Sequence, residues 1–238
     1  MAFQTIFKRY ELKYLITQKQ KEIILKEIEP YMKLDKYGRT TIRNLYFDTD
    51  DYRLIRHSIE KPTYKEKLRI RTYSKAESTS TVFVELKKKY NHVVYKRRIA
   101  LSEKEAINWL CNNWCKNNTQ ISKEIDYFLE YYKNLHPVVF LSYEREAYFT
   151  KEKSDFRLTF DDNIIFRTED LSLQSEVYGT RILDDRLVLM EIKCSGGIPL
   201  WITKVLSKNN IYKTSFSKYG TVYREHIYPK ITEENKNA

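Results

Sequence analysis

The feature that most constrains this chain is a charged row that recurs on alternate residues of its predicted β-strands. In residues 64–72, a period-two pattern places four cations on one face of a strand: Lys65, Lys67, Arg69 and Arg71. Leu68 and Ile70 lie between them. Side chains alternate between the two faces of a strand, so the other face of this strand is apolar.

The next predicted strand, residues 82–89, shows the same division. Its charged face carries Glu85 and Lys87, and its apolar face carries Val82 and Val84. If the two strands pair as a hairpin, they form a sheet with one apolar face and one face rich in cations. The direction in which that charged face points then decides what the protein can bind.

Other predicted strands repeat the pattern, at residues 6–16, 93–101, 138–149, 156–161 and 187–194. For any one strand, a solvated charged face on an antiparallel sheet is the simpler interpretation. The repetition favours a different arrangement, because most of these strands place a carboxylate close to an Arg or Lys. We therefore predict an α+β fold: a closed antiparallel β-barrel that forms a charged tunnel, with its apolar faces turned outward under flanking helices.

Helices to cover the apolar faces are available in the sequence. Thr17 is a predicted N-cap for a helix that ends near Pro30, and Ser102 with Glu105 has the spacing of a capping box. Residues 122–134 and 198–206 are further predicted helices. We predict a single domain over residues 1–228, followed by a polar, disordered tail at residues 229–238.

Charge points to a polyanionic partner. The chain of 238 residues has a formal net charge of +11 and a pI of about 9.3. Uncompensated charges in a tunnel are costly, so the tunnel must hold water, interspersed carboxylates and a polyanion. Nucleic acid is disfavoured, because the cations form rows on strands and no recognition helix or base-stacking motif is apparent.

The three cysteines lack zinc-site spacing, and no secretory signal is evident. We therefore predict a cytoplasmic protein.

The apolar runs are too short to span a bilayer, so membrane association would require a membrane-protein partner. The oligomeric state is left open by the sequence.

A series of motifs occurs in order along the chain. They are RYELKY (9–14), YFDT (46–49), LRIRTY (68–73), VFVELKKK (82–89), YKRR (95–98), SYEREAY (142–148), RLTFDDNI (157–164), LMEIKC (189–194) and SFSKY (215–219). The series resembles the polyphosphate-polymerase domain of the vacuolar transporter chaperone (VTC) complex, a member of the triphosphate tunnel metalloenzyme superfamily. The resemblance covers nearly the whole chain.

The resemblance implies an enzyme that transfers the γ-phosphate of ATP onto inorganic polyphosphate, with Mn²⁺ or Mg²⁺. It implies these catalytic, phosphate-gripping residues: Lys13, Arg69, Arg71, Lys87, Arg145, Arg157 and Lys193. It also implies Glu191 as the metal ligand and Lys218 as a substrate-binding residue. The charged faces add further candidate substrate-binding residues: Glu11, Glu85, Lys96 and Arg98. Lys65, Lys67 and Lys89 are interpreted as entrance or surface charges.

Two positions depart from the family pattern. Arg9 replaces the first glutamate of the E-x-E-x-K strand of the wider superfamily, which disfavours a hydrolase, and Ser215 replaces a lysine of the polymerases. The alternatives are an inorganic or nucleoside triphosphatase that uses the same tunnel, and a non-catalytic polyphosphate-binding module.

Overall fold

A large antiparallel β-sheet organises the computed structural model, which describes residues 6–91, 93–112, 118–152, 154–234 and 236. Within these ranges the strands are β1 (Ile6–Thr17), β2 (Met32–Leu34), β3 (Thr40–Asp48), β4 (Tyr64–Thr72), β5 (Thr81–Tyr90), β6 (Val93–Ser102), β7 (His136–Thr150), β8 (Arg157–Arg167), β9 (Thr180–Arg181) and β10 (Leu187–Cys194). The helices are α1 (Gln18–Ile28), α2 (Arg53–Ile59), α3 (Glu103–Asn112), α4 (Gln120–Tyr132), α5 (Leu200–Lys208), α6 (Lys218–Val222), a π-helix (Tyr223–Ile227) and α7 (Tyr228–Glu234). The predicted α+β class is confirmed.

The strand order in the sheet is β2-β7-β3-β4-β5-β6-β1-β10-β8-β9, and β7 also pairs with β8. That additional pairing joins strands near opposite ends of the order, from Phe140 opposite Arg167 to Phe149 opposite Arg157. The predicted hairpin is present, because β4 pairs with β5 and places Arg69 opposite Glu85. The antiparallel sheet with flanking helices is as predicted, while its closure into a barrel stays a prediction.

Local sequence signals explain where α1 and α3 begin. The Thr17 hydroxyl accepts a hydrogen bond from the Gln20 amide, and the Gln20 side chain accepts one from the Thr17 amide. Ser102 and Glu105 make the same reciprocal pair before α3. These capping boxes satisfy amide groups that a helix N-terminus would otherwise leave without partners.

The apolar faces of the strands lie beneath helices, as the period-two pattern predicts. On β4 and β5, Leu68, Ile70 and Val84 pack in one cluster with Trp109 of α3 and Phe128 of α4. In another part of the sheet, apolar residues of β1, β8 and β10 pack under α1 and α5. The charged side chains of the same strands therefore lie on the face opposite these two cores.

The C-terminal helices pack on that charged face. Tyr219, Val222 and Ile227 cluster with Tyr143 and Leu189, which precede Arg145 and Glu191 by two residues and so share their face of the sheet. This packing carries the C-terminal segment to the charged side chains.

The predicted tail differs from the structure over part of its length. α7 extends to Glu234, so residues 229–234 are helical rather than disordered. Ile231 packs against the same cluster as Ile227, and this tertiary contact explains why a polar segment becomes ordered. Residues 235, 237 and 238 lie outside the described residues.

A buried arginine holds the loop between β8 and β9. The Arg167 guanidinium donates to four carbonyl oxygens, those of Asp170, Ser172, Glu176 and Tyr178. It also lies 3.7 Å from the centre of the Phe140 ring. The loop ends at Gly179, where a Cβ atom would approach the Phe166 carbonyl oxygen to 2.1 Å. Glycine is therefore required there.

Replacing this arginine should destabilise the fold. We expect Arg167→Met to lower the free energy of unfolding by about 2–4 kcal/mol, since four partly buried hydrogen bonds that hold the loop are lost. Urea unfolding measures the effect. The matched control is Arg181→Met, whose exposed guanidinium faces Asp185, and which should change the free energy by less than about 0.5 kcal/mol. Equal effects of the two substitutions would contradict the anchoring role.

Candidate functional site

One carboxylate on β5 collects cations from two neighbouring strands. Glu85 is 1% exposed, and its carboxylate lies 2.8 Å from Arg69 Nη2, 2.7 Å from Arg98 Nη2 and 2.6 Å from Lys96 Nζ. Arg71 Nε lies 3.8 Å away. Burial by itself would raise the pKa of Glu85, but the four cations outweigh burial and hold the pKa well below its usual range. Glu85 therefore stays ionised, but its single negative charge cannot neutralise the four positive charges around it.

A second group surrounds Glu191 on β10. Its carboxylate lies 2.7 Å from Lys193 Nζ, 3.6 Å from Lys13 Nζ, and 3.8 Å from both Arg145 Nη2 and Lys218 Nζ. The cations again outweigh burial and keep the pKa of Glu191 well below its usual range. The structure therefore brings together the predicted metal ligand and four of the predicted phosphate-binding cations.

Asp161 on β8 links the Arg145 and Lys218 side chains. Both carboxylate oxygens accept from Arg145 at 2.6 Å, and one also accepts from Lys218 Nζ at 2.6 Å. Bidentate pairing of this kind fixes the plane of a guanidinium group. Asp161 therefore orients two cations of the Glu191 group, and it is absent from the predicted site residues. Its place on the same strand face as Arg157 is the signal that identifies it.

Glu11 and Lys87 form a further ion pair, with 2.7 Å between Glu11 Oε2 and Lys87 Nζ. Burial opposes ionisation of Glu11, yet the nearby Lys87 and Lys193 ammonium groups bring its pKa to about 2. Burial lowers the pKa of Lys193 to about 7, although Glu191 opposes that shift. Arg157 is paired in register with Lys193, and its guanidinium lies 4.4 Å from the centre of the Phe149 ring.

Polar side chains that sequence reasoning missed hold the two β4 arginines. Arg69 donates to the Tyr46 hydroxyl at 2.9 Å, and Arg71 donates to Asn44 Oδ1 at 3.0 Å and to the Tyr143 hydroxyl at 3.1 Å. Burial raises the pKa of Tyr46, but the arginine charges outweigh burial and lower it overall. Tyr46 and Asn44 are two residues apart on β3, and that spacing is the signal for their shared face.

Lys67, interpreted from the sequence as an entrance or surface charge, is partly buried. Its ammonium group donates to Ser217 Oγ at 3.0 Å. Lys65 is also partly buried and donates to the Ser58 carbonyl at 2.8 Å. The row of cations on β4 therefore extends from Arg69 through Lys67 to Ser217 of the C-terminal segment.

A family model for the VTC domain matches residues 8–226. The chain belongs to the VTC domain family. The match covers most of the sequence and confirms the resemblance carried by the ordered motifs. Comparison of this VTC domain with curated proteins finds no match.

Solved structures are similar to this VTC domain. A candidate adenylate cyclase from Bacillus halodurans is 16% identical, with a TM-score of 0.57 over 94% of this chain and 100% of that chain. A candidate adenylyl cyclase from Hippeastrum, described as having a dominant triphosphatase activity, is 15% identical. Its TM-score is 0.49 over 93% of this chain and 95% of its own. At these identities the first similarity shows the fold alone.

In this VTC domain, the carboxylates near the cations are the candidate ligands for a divalent cation. Across the described residues, no three His, Cys, Asp or Glu side chains group in a way that could hold a metal. Glu11 and Asp161 are engaged by Lys87 and Arg145. Mg²⁺ is commonly bound through one or two carboxylates together with substrate phosphates. Glu191 is engaged as well, by Lys193 at 2.7 Å, so a divalent cation here would be held mainly by substrate phosphates rather than by protein ligands alone.

No helix in the described part of the chain is both long enough and apolar enough to cross a membrane.

Removing the charge of Glu85 should destabilise the VTC domain. We expect Glu85→Gln to lower the free energy of unfolding by about 3–5 kcal/mol, because four cations lose their shared carboxylate. Urea unfolding in the absence of phosphate measures this change. The control is Glu176→Gln, an exposed partner of Lys75, with an expected change below about 0.5 kcal/mol. A stable Glu85→Gln variant would show that the cation cluster does not depend on this carboxylate.

Proposed function

We propose that this VTC domain is a polyphosphate polymerase, which transfers the γ-phosphate of ATP onto a growing inorganic polyphosphate chain. The observation that carries the proposal is the excess of cations on one face of the sheet. Glu85 and Glu191 each lie within 4 Å of four cations. Because one carboxylate offsets only one of its cationic neighbours, the face retains positive charge suited to phosphate.

The proposal includes closure of the sheet around this face to form a tunnel. The pairing of β7 with β8 supports closure, because it connects strands near the two ends of the sheet order. The placement of helices over the apolar faces also supports it, since the charged face is left as the inner one. A tunnel suits a linear polyanion because it surrounds successive phosphate groups with donors.

The side chains have distinct roles in this proposal. Arg69 and Arg145 present guanidinium groups held by carboxylates, so each keeps a fixed orientation toward a phosphate oxygen. Lys13, Lys87 and Lys193 add ammonium donors. Held in line by these cations, an acceptor phosphate oxygen attacks the γ-phosphorus of ATP and ADP leaves. The cations offset the charge that develops on the transferred group and on the leaving oxygen.

A divalent cation, Mn²⁺ or Mg²⁺, has a place in this proposal at Glu191. When bound with the phosphates, it would add Lewis-acid stabilisation of the phosphate oxygens. Lys193 and Lys13 would keep the Glu191 carboxylate directed toward them, given their 2.7 Å and 3.6 Å separations from it. We further propose a cytoplasmic enzyme, with any membrane association provided by a partner protein.

The direct test is incubation of the purified protein with ATP and Mn²⁺, followed by gel analysis for polyphosphate. We expect chain formation by the wild type, and a loss of about 100-fold or more in Arg69→Ala and Glu191→Gln. The matched control is Arg97→Ala, because Arg97 lies on the opposite strand face and pairs with Glu124 of α4 at 3.0 Å. That variant should retain activity.

Other products would change the assignment. Release of orthophosphate from ATP or inorganic triphosphate without chain growth would identify a triphosphatase, with water as the acceptor. Tight binding of polyphosphate without metal-dependent turnover would identify a binding module. Equal activity of the Arg69→Ala and Arg97→Ala variants would remove the proposed site from the reaction.

A further inference from the structure

Lys67 differs from the other cations of the site in its partners. In the described part of the chain, no carboxylate lies within 4.0 Å of its ammonium group, whereas Arg69, the next residue on the same face, pairs with Glu85. The hydrogen-bond partner of Lys67 is the neutral Ser217 hydroxyl, 3.0 Å away. A partly buried cation is thus held without an opposite charge.

A second lysine meets the same short segment. Lys13 Nζ donates to the Phe216 carbonyl oxygen at 2.7 Å, and the Thr214 amide donates to the Lys13 carbonyl oxygen at 2.7 Å. Ser217 caps α6 by accepting a hydrogen bond from the Gly220 amide at 3.2 Å. Two ammonium groups therefore converge on neutral oxygens of adjacent residues, at the point where the C-terminal segment reaches the charged face.

This arrangement has a cost in the absence of an anion. Lys67 lies opposite Lys87 in the β4–β5 register, with Lys65 and Arg69 on either side of it on its own strand face. Burial, the Lys13 ammonium group and these like charges lower the pKa of Lys67 well below its usual value. A cation in such a place destabilises the free protein unless an anion joins it.

We propose that Lys67 adds a phosphate-binding position beside Lys13, which extends the site around Glu85 and Glu191 toward the C-terminal segment. A phosphate oxygen accepts from both ammonium groups in place of Ser217 Oγ and the Phe216 carbonyl. Alternate residues of a strand are roughly 6.6 Å apart, so Arg71, Arg69 and Lys67 form an extended row of donors. A linear chain of phosphates along β4 meets them in succession.

The inference rests on the proposed function in its choice of ligand, and the experiment separates the two. The variant is Lys67→Met, in which methionine replaces the stem of lysine without its charge. The matched control is Lys88→Met, since Lys88 lies on the opposite face of β5 and faces Glu66 at 3.8 Å. The melting temperature is measured with and without inorganic triphosphate, and its affinity is measured by calorimetry.

Without ligand, we expect Lys67→Met to raise the melting temperature by about 2–4 °C, because an uncompensated cation is removed. With ligand, it should bind triphosphate at least about tenfold more weakly and show a smaller ligand-induced rise. If Lys67 had only a structural role, the substitution would instead lower the ligand-free melting temperature. Lys88→Met should bind as the wild type does.

Three outcomes would overturn the inference. Equal triphosphate affinity of the wild type and Lys67→Met would remove the phosphate-binding position and leave the proposed function intact. A lower ligand-free melting temperature in Lys67→Met with unchanged affinity would show that Lys67 is structural. If the wild type binds no triphosphate, the proposed function and the phosphate-binding position both fail.

Discussion

The interaction on which this structure depends is the sharing of one buried carboxylate among several cations. Glu85 holds Arg69, Lys96 and Arg98 at ion-pair distance, and Glu191 holds a comparable set. Each carboxylate reduces the repulsion among its neighbours enough for the chain to fold, yet leaves positive charge behind. The folded sheet therefore keeps a positive face, and a bound polyanion would relieve the repulsion that remains between its cations. In the proposed function, the stability of the free protein and its affinity for phosphate are thus opposed.

The helices and the C-terminal segment follow from the same constraint. Apolar strand faces must be covered if the charged faces turn toward one another, and α3, α4, α1 and α5 provide that cover. The C-terminal helices have a second role, because their packing brings Lys218 within 2.6 Å of Asp161 on the charged face. A lysine distant in sequence from the strands thereby joins the cations of the Glu191 group. Coverage of the sheet and assembly of the site are parts of one packing arrangement.

Much of this arrangement could be predicted because it is encoded locally. The period-two pattern identifies the faces of β4 and β5, and the Thr17 N-cap and the Ser102 capping box identify two helix starts. What the sequence does not show is pairing across strands distant in the chain. In the sequence, Tyr46 and Tyr143 resemble ordinary core residues, and only the structure shows that their hydroxyls accept hydrogen bonds from Arg69 and Arg71. The hydrogen bond of Lys67 also depends on Ser217, which is 150 residues away. The helix at residues 229–234 depends likewise on a tertiary contact of Ile231.

In the proposed function, the charged face of the sheet binds a chain of phosphates. A crystal structure of the protein with inorganic triphosphate and Mn²⁺ would test this binding. We expect phosphate oxygens within hydrogen-bond distance of Arg69, Arg145 and Lys193, with the cation on Glu191. Triphosphate bound instead among the outer lysines Lys204 and Lys208 of α5, with the Glu85 and Glu191 groups unchanged, would contradict this expectation.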